Sequence, residues 1–390
     1  MDVERFRNSP AGKVAKVGQG EAQYWAFVPN ALPPRLKLTH DLLGANSDAD
    51  RALGELAGLG RSMLNPHLLI GPFIRREAVL SSRIEGTQTS IDELYTYEAG
   101  QLSLPDIGPR GPQSDVREVL NYVRALEYGL TRLQEFPVSL RLLKEMHEHL
   151  LEGVRGAHAT PGEFRKGPNW IGPPGCTLND ADFIPPPVHE MQQGLHDFEN
   201  HLHTTDRKMP LIRLAEIHYQ FEAIHPFVDG NGRIGRLLVT LLLVHWDLLP
   251  LPLLYLSAFF ERHRQDYYDV LMAVSEKGAW SQWIMFFLEG IREQAADATM
   301  RAKALQDLQA RWHKELTQAR ASALLVRLAD TLFASPILTT RQAQDRLGAK
   351  AFNTAAKHVN ALVDAGVLEP AGKGKGGQVF AAREIIRIVT

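Results

Sequence analysis

Apolar residues return at helical spacing along most of this chain, and that periodicity decides which folds are open to it. Leu53, Leu56, Leu59 and Met63 mark one stripe, and Val119, Leu120, Val123, Leu126 and Leu130 mark another. Runs of the same period fall near 138–152, 186–203, 209–224, 232–246, 256–274 and 279–316. A helix with one apolar stripe must bury it against another element, so the main body is expected to be all-α. At 390 residues the chain exceeds an ordinary single domain, which predicts one large core and at least one smaller unit.

Three stretches depart from the pattern. The opening forty residues are rich in Gly and Pro, and ALPPRLKL at 31–38 reads as an extended entry arm. Gly, Pro and Asn punctuate 155–188, which predicts a short hairpin and irregular loop between two helices. A loop of that length in a compact chain is often functional. From about 317 the elements shorten. Ser322 to Phe333 suits one helix, ILTTRQAQDRL a second with Thr339 or Thr340 as N-cap, and AFNTAAKHVNALVDAG a third ending at Gly366. VLEP and QVFAAR then read as two short strands around AGKGKGG, and three small helices followed by a hairpin is the winged helix-turn-helix arrangement.

Composition excludes several classes. A 44% apolar and 23% charged chain of net charge -2 makes no case for nucleic acid or membrane as the partner of the whole molecule. From Arg320 onward, however, 10 Lys or Arg stand against 5 Asp or Glu, so DNA contact is expected only through this end, with a protein contact the alternative. Clustering of the spare basic residues on the third helix and the Lys373 to Lys375 turn would favour DNA. The lone Cys176 rules out an intramolecular disulfide and a thiolate metal site, and fits a reducing, cytoplasmic location. The start MDVERFRNSP lacks the apolar core of a signal peptide. The segment LLVTLLLVHWDLLPLPLLYL is broken by His245, Asp247 and two prolines, and so reads as a buried helix and a turn.

The chemistry concentrates in His225 to Arg236, HPFVDGNGRIGR. Pro226 restricts its predecessor and ends the helix LIRLAEIHYQFEAI. Gly230, Asn231 and Gly232 suit a tight turn whose amides converge on one spot, and a helix restarting at Gly232 adds the positive end of its dipole there. That combination is an anion cradle. Arg233 and Arg236 can form charge-assisted bonds to a polyphosphate. Asp229 adds a hard oxygen ligand of the kind magnesium takes beside phosphates. His225 has the ordinary pKa of a base that takes a proton from a hydroxyl. The reaction implied is in-line attack of a hydroxyl on phosphorus.

These residues fit every fixed position of the Fic signature (His, any, Phe, any, acidic, Gly, Asn, Gly, Arg, two of any, Arg), and the chain therefore resembles the Fic family. The resemblance implies an all-α Fic core with a short β-hairpin flap, whose members mostly transfer AMP from ATP to Ser, Thr or Tyr of a protein. It implies His225 as base, Asp229 on Mg2+, and Asn231 with the amides of Gly230, Gly232 and Gly235 on the phosphates. Arg233 would lie toward the β-phosphate, Arg236 toward the γ-phosphate, and Phe227 would anchor the loop in the core. SSRIEG at 81–86 is similar to the inhibitory motif of the family: Ser81 and Glu85 share a helical face, Gly86 can end the helix, and Glu85 would pair with Arg236 where the γ-phosphate belongs. GEFRKGPNWIG and DFIPPP resemble the family's flap, where Asn169, Trp170, Ile171 and Gly172 would hold a target segment by strand addition. Tyr267 or Tyr268 would line the adenine side, and Ser275 stands near where some relatives carry Asn. The expected domains are a helical region with the inhibitory helix at 1–110, the catalytic core at 111–300, a helical linker at 301–316 and the winged helix at 317–390.

Other chemistries are weaker. No HExxH or similar ligand set accompanies His225, and the GxxxxGK loop and kinase signatures are missing. Transfer of another nucleotide, and removal of AMP by a water that Glu85 positions, remain alternatives within the site. A nucleotide-sensing DNA-binding regulator is the alternative of a different class. Expected partners are a target protein with an exposed hydroxyl, or the chain itself, and a second copy in a homodimer; no membrane is expected.

Overall fold

The structure is a computed structural model that describes residues 1–20, 23–63, 66–98, 112–154, 160–173, 175–204, 209–374 and 377–390. The 110–111 boundary, part of the 155–188 loop and the side chains of the Lys373 to Lys375 turn lie outside the described residues. After a single 3-10 turn, β1 (Gly12–Val17) and β2 (Tyr24–Pro29) form an antiparallel hairpin with Val14 opposite Phe27. The helices of the main body follow: α1 (His40–Ser62), α2 (Pro66–Ile84), α3 (Ile91–Glu98), α4 (Pro112–Arg132), α5 (Leu140–Leu150), α6 (Val188–Leu202), α7 (Pro210–Ile224), α8 (Asn231–His245), α9 (Ser257–Arg262), α10 (Arg264–Lys277) and α11 (Trp280–Gln318). The C-terminal part comprises α12 (Ala323–Ala334), β3 (Ile337–Thr339), α13 (Thr340–Leu347), α14 (Phe352–Asp364), β4 (Glu369–Gly374), β5 (Gly377–Ala381) and α15 (Arg383–Val389). Among the described residues no helix is long and apolar enough to cross a membrane.

The centre of the body is the pair α7 and α8. Leu211, Leu214, Ile217 and Phe221 on α7 and Ile234, Leu237, Leu238, Leu241 and Leu242 on α8 are buried, and helices apolar on most of their circumference belong inside a layer of others. The segment 237–256 is thus a buried helix and turn, as its sequence predicts. Two helices replace the single one expected at 256–274. Phe260 and Tyr267 stack with centroids 4.4 Å apart, whereas residues seven apart on a straight helix are separated by about 10 Å along its axis, so the chain must break, and it does so at His263. Among the described residues of 155–188 the expected hairpin shrinks to one bridge, Ile171 to Phe183. Pro173 on one side and Pro185 to Pro187 on the other lack the N–H groups a ladder needs.

Helix α11 has 39 residues and buries one face throughout, from Trp283 to Trp312 and Leu316. It therefore runs unbroken through 301–316, the residues read as a linker. In the C-terminal part, Thr339 caps α13 in a reciprocal box with Gln342, and Gly366 follows the end of α14 in the left-handed conformation. Two elements have no counterpart in the sequence reading. Ile337–Thr339 adds β3 to β5, giving the antiparallel order β3-β5-β4, and α15 buries Ile385, Ile386 and Val389.

The first half of α2 is fastened to this C-terminal part. Gly71 lets α12 approach so closely that a Cβ there would lie 2.8 Å from the Ala334 carbonyl oxygen. Arg75 grips the Glu98 carboxylate through Nε and Nη2 at 2.7 and 2.8 Å, and Gln342 donates to the Glu98 carbonyl at 3.3 Å. Arg76 and Arg301 share Asp297, and Arg301 also donates to the Ile388 carbonyl. Gly71→Val is expected to force the two helices apart at a cost of about 1–3 kcal/mol, read as a lower urea midpoint; an unchanged midpoint would refute the close contact.

Candidate active site

The loop between α7 and α8 is held from three sides. His225 ends α7 in the left-handed conformation, at φ 48° and ψ 61°, which turns the chain sharply out of the helix. Asn231 then closes the loop on itself: its Oδ1 accepts from the Phe227 N–H and its Nδ2 donates to the Phe227 carbonyl, each at 2.8 Å. Its side chain is thus spent within the loop, and any phosphate contact at this position falls to the backbone. Phe227 is buried, as expected of an anchor, and stacks on His147 with centroids 3.8 Å apart. The Nδ1 of His147 accepts from the Gly162 N–H at 3.0 Å, so Nε2 carries the proton and donates to the Asp229 carbonyl at 3.0 Å. Burial holds this imidazole down to about 4, which keeps it neutral.

Arg165 is the third brace. Its buried guanidinium donates to the carbonyls of His225 (2.9 Å), Gly167 (3.0 Å) and Pro186 (2.6 Å), and its own amide donates to Pro226 at 2.9 Å. The flap and the loop are therefore one unit. Asn169 strengthens the join by donating to the carbonyls of Phe227 (3.0 Å) and Val228 (3.2 Å). Trp170 and Ile171 stay exposed at 39% and 38% beside this seam, with the Ile171 N–H bound to the Phe183 carbonyl at 2.8 Å. Gly172 packs so near Cys176 that a Cβ would lie 2.8 Å from its sulfur.

The protonation of His225 follows from its partner. Nδ1 lies 3.2 Å from the Glu222 carbonyl, which can only accept, so Nδ1 bears the hydrogen and Nε2 presents a lone pair. Burial lowers this imidazole to about 4, against the opposing pull of the Glu222 bond, so the basic form prevails at neutral pH. Around it, Asp229 keeps a half-exposed side chain with Oδ1 taking the Gly230 N–H at 2.6 Å. Gly230 caps α8 at φ 78°, a conformation that suits glycine, and the first amides of α8 open the cradle predicted from the sequence.

The two arginines face different ways. Arg236, 3% exposed, donates from Nε to Ser81 Oγ (2.8 Å) and from Nη2 to the Ser81 carbonyl (3.0 Å) and Glu85 Oε1 (2.7 Å). Gly86 ends this segment at φ 95°. Burial works against the Glu85 charge, yet the Arg236 ion pair prevails and its carboxyl lies below the ordinary range. Arg233 is equally buried but turns to Glu118 (3.7 Å) and Asp229 (3.5 Å), and its Nε and Nη1 have no hydrogen-bond partner. Gly232 lies under the Glu85 carboxylate: a Cβ there would stand 2.4 Å from Oε1 and 2.9 Å from Arg236 Nη1. Gly235 instead faces α7, 2.4 Å from Glu222 Oε1 by the same measure. Tyr267 is buried and bonded to His218 at 2.8 Å, Tyr268 is exposed, and Ser275 bonds the Tyr219 hydroxyl at 2.9 Å.

These residues fit a magnesium triphosphate. The amides at the start of α8, Arg233, and the Arg236 guanidinium that Glu85 now holds are the groups a polyphosphate would use. Asp229 offers a single accessible carboxylate, and among the described residues no group of three His, Cys, Asp or Glu could enclose a metal. Magnesium suits such a site, because it takes one or two carboxylates and completes its shell with phosphate oxygens and water. Sequence reasoning missed Arg165, His147, Glu118 and Glu222. The first lies inside the quoted GEFRKG, but nothing in that string says which carbonyls it will reach.

A helical body with this loop at its centre defines a domain of the Fic/DOC family: residues 43–131 match its N-terminal description, Fic/DOC family N-terminal, and residues 137–243 match Fic/DOC family itself. The chain is a Fic/DOC-domain protein, related at the level of that family to protein adenylyltransferases. It is 30% identical over 209 residues to an Aquifex aeolicus protein described as a probable protein adenylyltransferase, covering 52% of this chain and 55% of that one. It is 28% identical over 209 residues to the protein adenylyltransferase Fic of Nematostella vectensis, at 52% and 44%. The chain thus spans about half the length of these relatives. Its fold is shared with a Fic family protein from Desulfovibrio desulfuricans G20 (TM-score 0.56, 20% identity, 90% of this chain and 98% of that one). It is also shared with a single-substitution form of Fic-1 from C. elegans (TM-score 0.52, 18% identity, 68% and 74%).

The His225 assignment has a direct check. Nitrogen-detected NMR of the imidazole should show an unprotonated Nε2 at pH 7 and a midpoint near 4; a midpoint at the ordinary value of about 6.5 would contradict the burial.

Proposed function

We propose that this chain transfers AMP from ATP to a hydroxyl of a protein, with magnesium at Asp229, and that Glu85 holds the transfer in check. The observation that carries the reading is the neutral His225, its Nε2 lone pair free beside an amide cradle and two buried arginines. Nε2 takes the proton of the incoming hydroxyl as its oxygen bonds to the α-phosphorus; the bond from that phosphorus to the bridging oxygen breaks, and pyrophosphate leaves. The amides at the start of α8 and Arg233 stabilise charge on the transferring and leaving phosphates. Magnesium, when bound, would neutralise charge on the diphosphate. The names of the relatives support AMP as the group transferred.

Glu85 occupies the Arg236 nitrogen that a terminal phosphate would take. In the reading proposed here it excludes the productive pose until it moves. The exposed backbone edge at Trp170 to Gly172 is then the place for the target segment, as an added strand next to the loop. The order α12, β3, α13, α14, β4, β5 supports reading the C-terminal part as a winged helix, with exposed Asn353, Thr354 and Lys357 on α14 as its contact face for a partner.

Purified wild type, Glu85→Gly and Glu85→Gly/His225→Ala forms, incubated with magnesium and ATP in a lysate, give the test by mass spectrometry. A mass gain of one AMP on protein hydroxyls is expected, at least about tenfold greater in Glu85→Gly and lost by about a hundredfold or more with His225→Ala. Transfer indifferent to His225 would overturn the mechanism. Loss of pre-existing AMP that requires Glu85 would replace transfer by removal.

A further inference from the structure

Two residues past Glu85, a second contact holds the same turn. Gly86 closes the end of α2: its N–H donates to the Arg83 carbonyl at 3.0 Å and the Thr87 N–H to the Ser82 carbonyl at 3.1 Å, so Glu85 and Thr87 belong to one locked piece of backbone. Helix α4 grips that piece from the side. Asp115 and Glu118, three apart on one face of α4, accept from the Gln88 N–H at 2.9 Å and from the Thr87 hydroxyl at 3.1 Å. Thr87 and Glu118 are only 3% and 6% exposed, which makes their contact a charge-assisted bond shielded from water. Neither residue belongs to the signature or to SSRIEG.

The oxygen that accepts from Thr87 faces a second donor. Glu118 Oε2 lies 3.7 Å from Nη1 of Arg233, too far for a hydrogen bond, and that nitrogen is buried without a hydrogen-bond partner. A carboxylate shift of under about 1 Å brings the two to hydrogen-bond length. Glu118 would then gain Arg233 as Thr87 lets go, so opening the turn strands no buried charge.

We propose that Glu118 is a positioning residue for the inhibitory glutamate: it holds the Glu85 turn closed through Thr87, and it trades Thr87 for Arg233 when Glu85 leaves Arg236. The proposal rests on the reading of Arg236 as the seat of the terminal phosphate. The strength of the brake is then set on α4 as well as in the inhibitory motif. Displacing Glu85 also completes the contact to the neighbouring arginine, which ties release of the brake to the hold on Arg233.

The test is calorimetric binding of a non-hydrolysable ATP analogue with magnesium, and of ADP with magnesium for comparison. The forms compared are the full chain as wild type, Thr87→Val, Thr87→Ser, Glu85→Gly and Glu85→Gly/Thr87→Val. Thr87→Val keeps the shape of the side chain and removes the hydroxyl. It should raise affinity for the ATP analogue at least about fivefold, on the scale of one lost bond to a charged group. ADP has no terminal phosphate to place on Arg236, so its affinity should stay within about twofold. Thr87→Ser restores the hydroxyl and should behave as wild type. In the Glu85→Gly background the Val substitution should alter binding less than about twofold, because no carboxylate is left to hold. An equal gain with and without Glu85, or an equal gain for ADP, would overturn the latch. So would no gain in Thr87→Val where Glu85→Gly shows one, and that result leaves the reading of Arg236 standing. No gain in Glu85→Gly itself would sink both. Should Thr87→Val fold poorly, amide hydrogen exchange of the wild type decides. The saturating ATP analogue should speed exchange at Thr87 and Gln88 where ADP does not; equal rates with the two ligands would overturn the trade of partners.

Discussion

The helices packed against the start of α8 are arranged to satisfy one buried cation. Leaving the Arg236 guanidinium unpaired in this setting would cost about 3–5 kcal/mol, so the side chains that meet it fix where helices can lie. Ser81 supplies its hydroxyl and its carbonyl and Glu85 supplies charge, which sets α2 across α8 in one register. Beneath, Glu77 accepts from Ser257 and from the Tyr122 hydroxyl, tying α2 to α9 and α4 around the same cation. A replacement for Glu85 at this point has to be an anion that reaches the same nitrogen. Electrostatic need, more than shape, selects a phosphate as the candidate.

The loop that holds His225 is stiff for a different reason. Its polar backbone atoms are spoken for one by one: Phe227 by Asn231, Asp229 by His147, His225 and Pro226 by Arg165. Two of these braces come from outside the loop, from α5 and from the flap. His225 therefore keeps its tautomer and direction without help from a substrate, which is the preorganisation that the proposed proton transfer would use.

How much of this was legible in the residues can be judged element by element. The 3.6-residue stripes locate α7, α8 and α11 because those helices bury whole faces. The signature marks the loop because Gly230 needs its left-handed turn and Gly232 must leave the space that the Glu85 carboxylate fills. The Ser81 and Glu85 spacing shows a shared face, but only the fold brings Arg236 to it across 151 positions of chain. Arg165 and His147 act on carbonyls, and a carbonyl leaves no mark in a sequence. Asn231 reads as a phosphate contact until the backbone shows its amide already engaged. Glu222 carries no mark of its own in the sequence, since the Gly235 it packs against lies on the following helix. The break at His263 is dictated by an aromatic stack, and β3 by a strand that arrives some forty residues later.

Helix α2 is gripped at both ends by different parts of the molecule. Gly71 wedges it against α12, and Glu85, just past its last turn, meets Arg236. The intervening fourteen residues span about 21 Å, so a tilt of roughly 5° about the Gly71 contact displaces the far end by about 2 Å. The Glu85 bond is 2.7 Å long. A lever of that length would let a small shift at the Gly71 contact lengthen the ion pair by an amount comparable with the bond itself, with no unfolding of α2.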